Sequence, residues 1–218
     1  MKKRYIAIGA AAIAVVLVIA GIILINHFNK TPADNTPESP ANAQVDITVD
    51  SWLKIAGYDD YYGKLAIIVE NVGDTDVEYA VLNAKTKTGD TLTFNASALL
   101  KGTRAVLLCN EDVSLDYNEA YTGWEITDKI LFENPPSMND DKLEITLTKG
   151  SIGIKNISGE DIDSDIIIYY KDKKDDVLNG SATYRTRITG LKADSQTFVR
   201  AEELSEENCR IIFTEYDD

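Results

Sequence analysis

The feature that most constrains this chain is a run of twenty uncharged, mostly apolar residues from Ile6 to Ile25, IAIGAAAIAVVLVIAGIILI. At the helical rise per residue such a run spans about 30 Å, the thickness of a bilayer's hydrocarbon core. It lacks the polar stripe of a helix packed on a soluble core. Lys2, Lys3 and Arg4 precede it, and positive flanking charge keeps that end cytoplasmic while the rest is exported. The expectation is a short cytoplasmic tail (1–5), a transmembrane signal anchor (6–25) whose partner is the lipid bilayer, and an extracytoplasmic remainder. The rival reading is a cleaved signal peptide, whose apolar region runs about 7–15 residues before a small-x-small site. Here the first plausible A-x-A beyond the run is Ala41-Asn42-Ala43, far from Ile25, and no cysteine stands close after the run to allow lipoprotein processing. Small residues at Gly9, Ala10, Ala11, Ala12 and Ala14 would also let a second helix approach closely.

Charge narrows the rest. All 36 acidic residues lie after residue 30, and four of the 22 basic ones (Lys2, Lys3, Arg4, Lys30) lie at or before it, so residues 31–218 carry a formal charge of −18. Nucleic-acid binding needs clustered Lys and Arg to displace counterions, so no nucleic-acid partner is expected. Docking of this body on anionic lipid is disfavoured for the same reason.

Residues 26–44 read as an extracytoplasmic tether, with Pro32, Pro37 and Pro40 in a polar stretch without periodicity. The other two prolines are Pro135 and Pro136. They place expected domain boundaries at 45–134 and 139–218, each the size of a small β-sandwich. Within each piece the pattern has period two: Ile47, Val49, Leu53, Ile55; Val77, Tyr79, Val81; Trp124, Ile126; Leu143, Ile145, Leu147. The run Leu65–Val69 reads as a doubly buried strand, and the fold class is all-β, antiparallel sandwich.

The two pieces resemble each other. Val69-Glu70-Asn71-Val72-Gly73-Asp74-Thr75-Asp76-Val77 aligns with Ile154-Lys155-Asn156-Ile157-Ser158-Gly159-Glu160-Asp161-Ile162, and Leu100-Lys101-Gly102-Thr103 with Leu191-Lys192-Ala193-Asp194. The second offset is larger by six residues, which fall in the intervening hairpin. A tandem duplication is the natural reading. The repeated Asn-x-Gly/Ser turn, the Ile168-Tyr169-Tyr170-Lys171-Asp172 strand and Leu191-Lys192-Ala193 resemble the small fibronectin-III or immunoglobulin-like domains of Gram-positive envelope proteins, the FxLYD group among them. The first copy departs, with Leu82-Asn83-Ala84-Lys85-Thr86 in place of the aromatic-Asp pair. The resemblance implies two tandem Ig-like sandwiches at a cell surface and no particular activity.

Catalytic chemistry is poorly represented. The one histidine, His27, adjoins the apolar run, which leaves the exported part without Ser-His-Asp, Cys-His or His-zinc arrangements. Cys109 and Cys209 occupy non-equivalent repeat positions; buried free thiols are favoured, with a bridge or intermolecular pairing left open. Asp161, Asp163 and Asp165 suggest a calcium loop, but an EF-hand needs Gly at its sixth position, where Ile166 stands, and three acids on one strand face read better as a solvated face. No metal or cofactor is expected, and no enzyme. Asp172–Asp176 reads as a hairpin tip.

Aromatics are the better contact candidates. Trp52 shares a strand parity with Asp46, Thr48, Asp50 and Lys54, and Tyr58, Tyr61 and Tyr62 follow in GYDDYYG. They would form a surface patch for a protein or envelope-glycan partner, or else the tyrosine loop closes over Trp52 at an open sandwich end. Trp124 reads as core. The expected function is a non-catalytic interaction or spacer module at the outer membrane face, its acidity suiting wall repulsion, cation buffering or a basic partner. The alternatives are an accessory subunit of a transporter or sensor complex and, more remotely, an envelope glycan hydrolase.

Overall fold

The computed structural model describes residues 44–61, 63–113, 123–200 and 204–217; the Ile6–Ile25 run, Lys2, Lys3, Arg4, the tether up to residue 43 and Tyr62 lie outside the described residues. Among the described residues the structure is all-β. The first half holds β1 (Gln44–Asp50), β2 (Leu53–Tyr61), β3 (Lys64–Asn71), β4 (Val77–Lys85), β5 (Thr91–Leu99), β6 (Arg104–Leu108) and β7 (Gly123–Leu131). The second holds β8 (Leu143–Thr148), β9 (Ser151–Asn156), β10 (Ile162–Lys174), β11 (Val177–Asn179), β12 (Tyr184–Leu191), β13 (Gln196–Arg200) and β14 (Cys209–Asp217).

The halves repeat one strand order. In the first, β2-β3-β6 forms one layer and β5-β4-β7 the other; in the second, β8-β9-β13 and β12-β10-β14 take the same places. Alternation explains the layers. In β5, Leu92, Phe94 and Ala96 point inward between half-exposed neighbours, and Phe94 meets Trp124 at 5.8 Å between ring centroids. The second core is smaller, built on Leu143, Ile152, Ile154, Ile166, Ile168 and Leu191.

Both halves use the same polar joint. Asn71 Nδ2 donates to the carbonyls of Thr75 and Leu99, and its Oδ1 accepts from the Gly73 amide. Asn156 Nδ2 donates to Glu160 and Leu191, and its Oδ1 accepts from the Ser158 amide. Both asparagines are fully buried, and these bonds satisfy them. Leu99 and Leu191 are therefore the equivalent residues. The expected alignment of Leu100 with Leu191 is off by one, because a bulge in β10 between Ile162 and Asp165 adds a residue. The corrected register also matches backbone conformations: Gly102 (φ 70) with Asp194 (φ 56), and Ala98 (φ 45) with Gly190 (φ 51).

One sheet crosses between the halves. It runs β1-β2-β3-β6-β11-β10-β12, with β11 parallel to β6 through Leu178↔Ala105 and Asn179↔Val106. The stretches expected as separate domains thus share a sheet, and residues 40–218 form one compact unit. The first core takes in Leu178, Ile212 and Phe213 from the second half.

Candidate functional site

The junction between the halves is where the repeat is broken. Seven residues separate the paired Ala84 and Leu92 in the first half, and thirteen separate the paired Tyr170 and Tyr184 in the second. The six additional residues make an arm. β10 runs on to Lys174, reverses at Asp175-Asp176, both with positive φ (50° and 63°), and returns as β11. Two left-handed residues are what a two-residue hairpin turn requires. The turn lies inside the stretch expected as a hairpin tip.

The arm completes the first half. Leu178 enters its core and Val177 joins a small outer cluster with Tyr61, Ala66 and Val106. That cluster covers the outer face of β3, which is why Leu65–Val69 is apolar without alternation. Gly180 donates to the Val106 carbonyl at 2.7 Å and accepts from the Ser97 amide at 2.8 Å; Ser181 Oγ accepts from the Leu108 amide at 2.8 Å. A Cβ at Gly180 would stand 2.6 Å from Leu107 Cδ2 and 2.9 Å from Ala105 Cβ, so only glycine allows this approach.

Lys171 anchors the arm. It is 1% exposed, and its Nζ donates to the carbonyls of Ser97 (2.6 Å), Asn179 (3.1 Å) and Ala182 (3.0 Å). Burial pulls its ammonium down to about 7. Nothing in the local sequence marks it, since its neighbours Asp172, Lys173 and Lys174 are ordinary surface residues; the length excess of the second hairpin is the signal that points to it.

Beside this anchor opens a cleft of about 420 Å³ lined by Glu78, Ser97, Ala98, Phe132, Glu133, Asn134, Tyr169, Thr183, Phe213 and Glu215. Its apolar wall is an aromatic stack. Tyr169 lies on Phe213 at 4.3 Å, and Phe132 meets Phe213 edge-on at 5.3 Å. Its rim is acidic. The Tyr169 hydroxyl donates to Glu215 at 2.8 Å, and burial with that carboxylate raises the phenol's pKa.

The expected contact residues are placed differently. The chain does not continue through Trp52 as a strand: Ser51 and Trp52 form the turn of a hairpin that pairs Asp50 with Leu53. The turn resets the parity on which an outward Trp52 rested. Trp52 is 4% exposed, in the first core, with the Lys129 ammonium 4.5 Å above its ring. The second half carries the reciprocal pair. Lys142, whose carbonyl takes the Ile157 amide as the Trp52 carbonyl takes that of Val72, lies 5.5 Å from the ring of Tyr216. Tyr61 is buried under the arm, with Lys174 5.7 Å from its ring, and Tyr58 packs half-buried against the first core, its phenol pKa raised by burial. The expected patch is therefore not assembled from Trp52, Tyr58 and Tyr61.

Asp161 accepts from Lys192 Nζ at 2.7 Å and from the Ala193 amide at 2.9 Å, which holds its carboxyl below the usual range. Asp165 pairs with Arg187, which also pairs with Asp217, and Asp163 is exposed. Among the described residues no group of three His, Cys, Asp or Glu side chains is arranged to hold a metal ion. Cys109 and Cys209 are buried and unbridged. No protein-family model matches this chain, and no curated protein is a significant match to it.

Proposed function

We propose that this chain is a single-pass, membrane-anchored extracytoplasmic protein that works by contact, not catalysis, and whose two halves are Ig-like sandwiches. The reading is supported first by the arm of β11: one half finishes the sheet and core of the other, so the acidic body is a single stiff unit and not two beads on a string. Such a unit fixes the geometry of anything held in the junction cleft. The apolar run Ile6–Ile25, its flanking Lys2, Lys3 and Arg4, and the proline-bearing tether support an anchor with the body held outside. The shared strand order and the repeated asparagine joint support a duplicated Ig-like unit.

Fractionation and protease accessibility test this reading. The chain is expected in the membrane pellet, released by detergent and not by alkaline carbonate, with the body digested by protease added outside intact cells or spheroplasts. A chain recovered in the soluble fraction, or a body protected from external protease, would overturn it.

A further inference from the structure

The junction cleft joins two chemistries that suit one kind of ligand. Phe132, Tyr169 and Phe213 give an apolar wall, while Glu78, Glu133 and Glu215 give a carboxylate rim. Among the described residues Glu78 and Glu133 are exposed and have no cationic partner, in contrast to Asp161 and Asp165, whose charges are met by Lys192 and Arg187. Among the described residues no Lys or Arg lines the cleft; Arg185 acts on the Tyr169 hydroxyl, and the Lys171 ammonium behind Ser97 is taken up by the carbonyls of Ser97, Asn179 and Ala182. On the first-half side, Ile130 and Leu131 lead into Phe132 and are 48% and 46% exposed at the end of the edge strand β7.

We propose that this cleft receives a lysine or arginine side chain presented by an extended, basic polypeptide segment. A basic side chain is amphipathic: its methylene stem covers apolar surface while its charged head stays with acceptors. The stem would run along Phe132 and Tyr169, and the head would meet Glu78, Glu133 and Glu215. A volume of about 420 Å³ accommodates one such side chain with part of its backbone. The exposed Ile130 and Leu131 supply apolar contact for flanking residues of the same segment. The formal charge of −18 on residues 31–218 draws a basic partner from a distance, and the unmatched carboxylates at the cleft select where it docks. This inference rests on the contact-protein reading above.

The test uses the full chain in non-ionic detergent and a short fluorescent peptide alternating lysine and leucine, with binding read by anisotropy at moderate salt. Two double variants remove equal charge: Glu78→Gln with Glu133→Gln at the cleft, and Glu144→Gln with Glu207→Gln away from it. All four side chains are exposed, so each variant is expected to retain the parent melting temperature. The cleft variant should lose affinity about tenfold or more, while the distant variant stays within about twofold. Phe132→Ala should weaken binding without altering its salt dependence. Equal loss in both double variants would reduce the effect to net charge and overturn the proposal. So would an absence of peptide binding, or a free polyamine binding as tightly as the peptide. A chain that fractionates with membranes yet shows any of these results would fail this inference and leave the anchored contact protein standing.

Discussion

Lys171 Nζ reaches out of the second half to donate to the carbonyl of Ser97, in the first, at 2.6 Å. Its counterpart by register in the first half is Lys85, which is exposed at a short hairpin. The same residue type at the same place in the repeat is exposed in one copy and enclosed in the other. The difference is the six-residue excess that follows it. Among the described residues no carboxylate meets the buried ammonium, which is held by carbonyl dipoles against a desolvation penalty.

That arrangement gives stability a defined pH dependence. The Lys171 pKa is about 7 in the fold against 10.5 in the unfolded chain, so between these values the unfolded state binds a proton the folded state does not. Lys171 therefore makes stability rise with pH from about 7 towards 9, by about 2 kcal/mol, and its contribution levels off below 7, where it is protonated in both states. The thiols of Cys109 and Cys209 act in the opposite direction above their ordinary value of 9.0, and the phenols of Tyr58, Tyr169, Tyr170, Tyr184 and Tyr216 above theirs of 10.0, all raised by burial. Urea unfolding from neutral pH to just below the thiol range should show the rise in the parent and its loss in Lys171→Met. A parallel rise in both would assign it elsewhere.

Gly180 tests the arm sterically. Gly180→Ala places a Cβ against Leu107, Ala105 and the Val106 carbonyl, and should cost about 2 kcal/mol or more. Gly123→Ala, where an added Cβ meets nothing within 4 Å, should stay within about 0.5 kcal/mol of the parent. Amide exchange at Leu108, whose N–H goes to Ser181 Oγ, should quicken in the first variant alone.

The positions of Ala98 and Gly190 share a left-handed backbone, filled by alanine in one half and glycine in the other. Gly190→Ala should destabilise by about 1–2 kcal/mol, because it adds left-handed strain and sets a Cβ 3.1 Å from the Ile162 carbonyl. Ala98→Gly should be nearly neutral, strain relief offsetting the greater freedom of the unfolded chain. Chemical denaturation of the two variants checks both signs.

Both thiols should be inert in the fold. Burial, with Glu111 adding to it, pushes Cys109 up to about 12, and burial, with Asp172 adding to it, pushes Cys209 up to about 11. Alkylation near pH 8 should be slow in the native protein and complete for both residues in denaturant, since the thiolate is the reactive form. Rapid native labelling of either would contradict their placement.

Much of the fold was legible in the residues. Period-two alternation in β5 and β8, the unbroken run in β3, and the repeated Asn71 and Asn156 turns all map onto the observed strands and joints. The excess length of the second hairpin was legible too, but not its use, because a solvated loop and a docking arm share the composition Asp172–Asp176. Trp52 was misplaced because a two-residue turn inverts side-chain parity and Ser51-Trp52 carries no glycine or proline to announce one. The cleft was not legible at all. Phe132, Tyr169 and Phe213 belong to three distant segments, and only the docking of the halves brings them together.

The two halves form one structural body, and scanning calorimetry of residues 40–218 puts that to the test. It should show a single transition whose calorimetric and van't Hoff enthalpies agree, as for one cooperative unit. Two separable transitions, each accounting for about half of the enthalpy, would mean that the arm joins independent domains, and would contradict it.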